Sequence, residues 1–221
     1  MKHSSRLTRK QWESLATGVH QLCRAYWGPS AELCGELLDG SFLQPFTAIA
    51  ASMETGTDSD LAGLRAYLNN FSDPEALSAH LEEGYVRLFV NDRGGVAAPL
   101  YASCYEDEKN PQLMGAAAVR MQKLLSDLKI HVSDDVREPP DHLSIQLEVL
   151  YFLLTQQCEP AQPTGAAVAA DFAAVQMLPW VQSFHHRLAD ETHFQFFPLI
   201  TGVLLSVLQT IAAQSETVPR Q

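Results

Sequence analysis

At 221 residues the chain is long enough for one large domain or two small ones, and it can bury a core without disulfide or metal staples. Hydrophobic residues make up 46% and charged residues 19%, which excludes global disorder. A formal net charge of −11 weighs against a binder of phosphate backbones, which needs a basic face, and suits a cationic partner.

The first segment, MKHSSRLTRKQWESLA, is basic but has no apolar run behind it, so it does not read as a secretory signal. From Gln11 to Trp27 the residues Trp12, Leu15, Val19, Leu22, Cys23 and Tyr26 recur on one helical face. Residues 28–40 offer Ser30 as a cap, Leu33, Leu37 and Leu38 as a stripe, and Gly40 as a stop. Residues 57–71 place Leu61, Leu64, Leu68 and Phe71 at helical spacing. The next helix opens on Asp73 with Pro74 at its first position, where a missing N–H costs nothing. Its stripe is Leu77, Leu81, Tyr85, Leu88 and Phe89.

Residues 91–107, NDRGGVAAPLYASCYED, break the period and read as a loop. Asn110-Pro111 opens a helix carrying Met114, Ala117, Met121, Leu124, Leu125 and Leu128. A second loop spans 131–141, and Asp141 is expected to cap the helix HLSIQLEVLYFLLTQQC. That helix is apolar on both sides and is predicted to be central and buried. Residues 159–167 read as a flexible connector. Two helices follow, one with Trp180 and Phe184, the other opening on FFPLITGVLLSVL (196–208). That last run is shorter than the about 20 residues a bilayer needs, and Pro198 interrupts it. No strand-like alternation or internal repeat stands out. The expected fold class is therefore all-α, a compact multi-helix globular fold of roughly eight to ten helices. It forms one domain over 1–221, with a hinge at 131–140 that would allow a monomer or a domain-swapped dimer. Cys23, Cys34, Cys104 and Cys158 lack zinc or disulfide spacing and fit reduced thiols in the cytoplasm.

The residues that could carry chemistry are few. Asp141-His142 could serve a hydrolytic or metal-assisted enzyme, but neighbours at a helix start point in different directions and do not form a dyad. His142 is followed four positions later by Gln146, so the two-histidine zinc pattern fails. The glycines of NDRGG have no phosphate-loop context. A helical DNA-binding regulator would rest on the basic N-terminal arm alone, against the acidic total. Tyr85, Leu88, Phe89, Tyr101 and Tyr105 cluster around an irregular loop and could line a cleft for a peptide.

EPPDH (138–142), at the head of a long apolar helix, resembles the Glu-Pro-x-Asp-His signature of the TorD/DmsD/NarJ family of redox enzyme maturation chaperones. YVRLFV (85–90) followed by PLYASCY (99–105) is similar to the family's Leu-Phe segment and its Pro-Tyr-Ala-Ser-x-Tyr loop. LPWVQSFHHRL with the last helix (178–208) resembles the family's closing helices. Leu100 between Pro99 and Tyr101 and Pro140 within the signature depart from the usual pattern. The resemblance implies a TorD-like fold and a cytoplasmic, non-enzymatic chaperone without a cofactor of its own. Its partners would be the twin-arginine signal peptide and the apo form of a molybdenum-cofactor oxidoreductase, held back from export until the cofactor is inserted. No nucleic acid and no stable membrane insertion are expected. Carried onto matching positions, the client-binding residues are Tyr85, Leu88, Phe89, Pro99, Tyr101, Ser103, Tyr105, Glu138, Asp141 and His142. The tyrosines would bury apolar side chains, Asp141 and Glu138 would attract arginines or fix the loop, and His142 would hydrogen-bond backbone.

Overall fold

The computed structural model describes residues 7–53, 55–90, 96–107, 112–157 and 165–215. Among them are ten α-helices in chain order: α1 (Arg9–Trp27), α2 (Ala31–Asp39), α3 (Gln44–Ser52), α4 (Asp58–Leu68), α5 (Pro74–Tyr85), α6 (Ala116–Asp127), α7 (Leu143–Gln157), α8 (Gly165–Asp171), α9 (Leu178–Leu188) and α10 (Phe196–Ala212). No strand occurs among the described residues, so the fold is all-α as expected; the one β-type pairing is an isolated antiparallel bridge between Tyr101 and His142.

Side-chain caps set several helix starts. Thr8 and Gln11 form a reciprocal capping box on α1, Ser30 accepts from Leu33 N, and Asp73 accepts from Ala76 N ahead of Pro74. Gly40 closes α2 in the left-handed region, with φ 82. The core is continuous. α1 packs lengthwise on α7, and α10 packs against α4 and α9. Tyr26, fully buried, reaches Thr201 Oγ1 on α10 at 2.7 Å. Thr201 spends its own proton on Phe197 O, so Tyr26 is the donor, and a phenol that would otherwise be orphaned joins α1 to α10.

Several expectations need correction. Helix α6 begins at Ala116, behind Gly115, and Met114 stands outside it with a left-handed φ of 61. The proposed opening at Asn110-Pro111 lies outside the described residues. Helices α3 and α8 were not expected. Residues 165–167 of the supposed connector form the first turn of α8, while 159–164 lie outside the described residues. Tyr151 and Phe152 on α7 are exposed, so that helix is buried mainly through its first half and its Leu153–Leu154 pair. The basic residues 1–6, the NDRGG stretch, Cys158 and the tail 216–221 also lie outside the described residues; Cys23, Cys34 and Cys104 are buried free thiols.

Two helices contain a π-type turn, at Val86–Val90 after α5 and at Phe172–Met177 between α8 and α9. Such turns insert a residue into the helical ladder and redirect side chains, often beside functional sites. The first delivers Leu88 O to Ala98 N at 2.9 Å and thereby anchors the loop that follows. A turn of 3-10 helix at Ala102–Tyr105 continues that loop.

Candidate functional site

The two motif segments meet. Ala102 N donates to Asp141 O at 3.2 Å and Leu143 N donates to Leu100 O at 2.8 Å, so the loop at 99–105 is stitched to the segment at 138–143. Tyr105 OH donates to Pro99 O at 2.8 Å and closes the loop on itself.

Asp141 does not cap α7. Its Oδ2 accepts from Ser103 N at 2.8 Å, so it caps the short Ala102–Tyr105 turn on the neighbouring segment. The residue capping α7 is His142, whose Nδ1 accepts from Ser144 N at 3.2 Å. Proximity decides this exchange: once the bridge brings the loop alongside, the carboxylate finds a backbone donor there and leaves α7 to the imidazole. Accepting at Nδ1 puts the His142 proton on Nε2. Burial pushes the His142 pKa down to about 4, against the opposing pull of Glu138 and Asp141, so the ring is neutral near pH 7. Asp141 and His142 thus serve different partners, and among the described residues no carboxylate is hydrogen-bonded to the histidine to orient it as a base. Among the described residues no three His, Cys, Asp or Glu side chains converge as a metal-binding group.

The imidazole lies between two aromatic rings. Trp27 stacks on it at 5.3 Å and 16°, and Tyr101 meets it edge-on at 5.2 Å. Tyr101 OH donates to Glu138 Oε2 at 2.5 Å, and Trp27 Nε1 donates to Glu148 Oε1 at 3.0 Å. Desolvation and the nearby carboxylate of Glu138 raise the Tyr101 pKa, so its hydroxyl stays protonated and keeps donating. Behind the shelf, Gln146 joins three segments. Its Nε2 donates to Asp141 O and its Oε1 accepts from Trp180 Nε1, both at 3.1 Å.

Of the residues expected in a client-binding surface, Glu138 is exposed, and Tyr85, Pro99, Tyr101 and Tyr105 are half-buried. Arg187 covers one face of Tyr105 at 4.4 Å, and Tyr85 OH is tied to Tyr26 O at 3.1 Å. Leu88, Phe89, Ser103, Asp141 and His142 are buried. Phe89 packs against Tyr26, Phe184 and Phe197 in the core, so it and Leu88 support the surface from behind. Trp27, Gln146, Glu148 and Trp180 belong to the junction without having been singled out. Trp27 carried one sequence signal, an aromatic residue at a helix end off the apolar stripe.

The junction has unused polar capacity. Asp141 Oδ1, Ser103 Oγ and Ser144 Oγ are buried without a hydrogen-bond partner, three of the four such atoms among the described residues. An orphaned buried polar group costs about 1–3 kcal/mol, so a polar partner at any of these atoms would stabilise the junction. One cleft of about 720 Å³ shares no residue with the junction. It lies by α2, α3 and α4, lined by Leu37, Thr47, Arg65 and Phe71 among others.

Residues 50–186, which include both stitched segments, match the family described as nitrate reductase delta subunit. The chain belongs to the nitrate reductase delta subunit family. This agrees with the TorD/DmsD/NarJ resemblance of the motifs and carries it upstream to residue 50. Within the family, the chain is 30% identical over 146 residues to the chaperone protein TorD of Vibrio cholerae serotype O1, covering 64% of this chain and 65% of that protein. It thus spans about two thirds of that relative's length. Aliivibrio salmonicida TorD is 28% identical over 200 residues, covering 86% of this chain and 92% of that one. A crystal structure of a candidate redox enzyme maturation protein from Archaeoglobus fulgidus aligns over 92% of this chain at 17% identity, with a TM-score of 0.49. The relatives from this family are named as chaperones, not as enzymes.

Proposed function

We propose that the chain is a system-specific chaperone for a molybdenum-cofactor oxidoreductase. It binds the twin-arginine signal peptide or the apo form of that client in the cytoplasm, assists cofactor insertion and delays export until insertion is complete. The observation that carries this reading is the junction itself. Both family motifs are stitched into one surface where half-buried aromatic rings alternate with exposed carboxylates. A segment with a cationic start and an apolar middle is complementary to that surface, and the net charge of −11 favours its approach. That Asp141 and His142 are held by backbone groups supports a recognition role for the junction over a hydrolytic one.

Co-expression tests the proposal. The protein is produced with a tagged molybdenum-cofactor oxidoreductase encoded beside it, in cells blocked in cofactor synthesis. It is expected to co-purify with the apoenzyme, and replacing the signal's paired arginines by glutamine should reduce recovery. Equal recovery with the holoenzyme, or none with the apoenzyme, contradicts it.

A further inference from the structure

The aromatic shelf does not end at the two motifs. Helices α1 and α7 run antiparallel, and their shared seam continues the shelf. His20 meets Tyr151 at 5.2 Å with the rings tilted by 37°, Trp27 stacks on His142, and Tyr101 follows edge-on beyond it. From His142 to Tyr151 the seam is about 13 Å long, the span of about four residues of extended peptide.

Two exposed carboxylates stand along this line, and each is fixed by an aromatic donor. Glu138 accepts from Tyr101 OH, and Glu148, about 9 Å along α7 from His142, accepts from Trp27 Nε1. Each bond uses one carboxylate oxygen and leaves the other, among the described residues, for a cation. The rings cannot swing away cheaply. Trp27 is the last residue of α1, where Gly28 turns the chain with φ 116, and its indole is clamped between His142 and Glu148. Trp27 and Tyr151 are each 37% exposed, whereas Trp12 and Trp180 are buried. In the stretch of chain between Glu138 and Glu148, Asp141 Oδ1 and Ser144 Oγ are fully buried and, among the described residues, without a hydrogen-bond partner. Fixed carboxylates beside exposed π-faces are the chemistry that recognises guanidinium groups. Neighbouring residues of an extended peptide point in opposite directions, so paired arginines can address two carboxylates at once.

We infer that the α1–α7 seam, with Glu148 and Trp27 as its contact residues, is a second arginine subsite that works with Glu138 on an extended basic segment. The inference rests on the signal-peptide reading and adds residues that neither family motif contains.

The probe is a synthetic peptide with two adjacent arginines ahead of an alanine–leucine run, compared with its Gln-Gln counterpart by titration calorimetry. Glu148→Gln, which keeps an acceptor for Trp27, is expected to weaken the arginine peptide about fivefold to tenfold and to leave the glutamine peptide unchanged. Glu75→Gln, on the first turn of α5, should change neither. The wild-type protein supplies a readout independent of any variant's folding: the arginine peptide should shield Trp27 and lower acrylamide quenching of tryptophan emission. Unchanged quenching on saturation, or wild-type affinity in Glu148→Gln alongside weakening in Glu138→Gln, overturns the second subsite and leaves the signal-peptide reading standing. Binding of neither peptide by the wild-type protein overturns both.

Discussion

Asp141 and His142 show how one residue pair changes meaning once its partners are known. Their place at the head of a buried helix was legible in the sequence. Their exchange of roles was not, because it depends on Ser103 arriving from a segment 38 residues away. Removing the carboxylate in Asp141→Ala strands Ser103 N–H in the interior and should cost about 1–3 kcal/mol of unfolding free energy in urea titration. Asp141→Asn keeps an acceptor and should lose less; equal losses would mean that the Ser103 bond carries little. His142 adds a pH dependence with a definite sign. Its folded pKa of about 4 lies below the unfolded 6.5, so the unfolded state binds the proton first. The contribution is fully present above pH 6.5 and is lost as pH falls towards 4, by about 3 kcal/mol in all. Denaturation across this window should show a shallower loss for His142→Asn than for the wild type, the difference isolating the imidazole from the carboxylates that titrate alongside.

At the scale of elements, helices with strong apolar stripes were readable because burial and the 3.6-residue period coincide, as in α1, α5 and α10. The short α3 and the alanine-rich α8 were not, since neither carries enough apolar positions to define a face. The π-type turn at Val86–Val90 was also hidden, because its side chains keep an apolar pattern while the backbone shifts. What holds that turn in place is testable at Gly84, the last buried residue before it. A Cβ there would meet the Phe194 ring at 2.7 Å and Phe197 at 3.0 Å, both rings in the core. Alanine would gain about 0.5–1 kcal/mol in helix propensity but cost about 1–3 kcal/mol in overpacking. Gly84→Ala should therefore lower the urea midpoint, and a raised midpoint would show that the Phe194 and Phe197 rings can yield without penalty.

At the scale of the whole molecule, the sequence revealed the fold class and the motifs of the candidate site, while the surface those motifs share with α1 appeared only in three dimensions. Trp27 precedes Tyr101 by 74 positions and His142 by 115, yet all three rings meet in one cluster, with Trp27 stacked on His142 and Tyr101 edge-on to it. The acidic balance acts on this surface collectively. Binding of a cationic segment should weaken as salt rises, because exposed charges are screened beyond about 10 Å at 0.1 M ionic strength. The most direct test is calorimetric titration of the wild-type protein and Tyr101→Ala with the signal peptide of a molybdenum-cofactor oxidoreductase encoded beside it. The account predicts micromolar or tighter wild-type binding that weakens with salt and is lost at least tenfold on removal of the Tyr101 ring. Absence of wild-type binding, or binding indifferent to both salt and Tyr101, would contradict it.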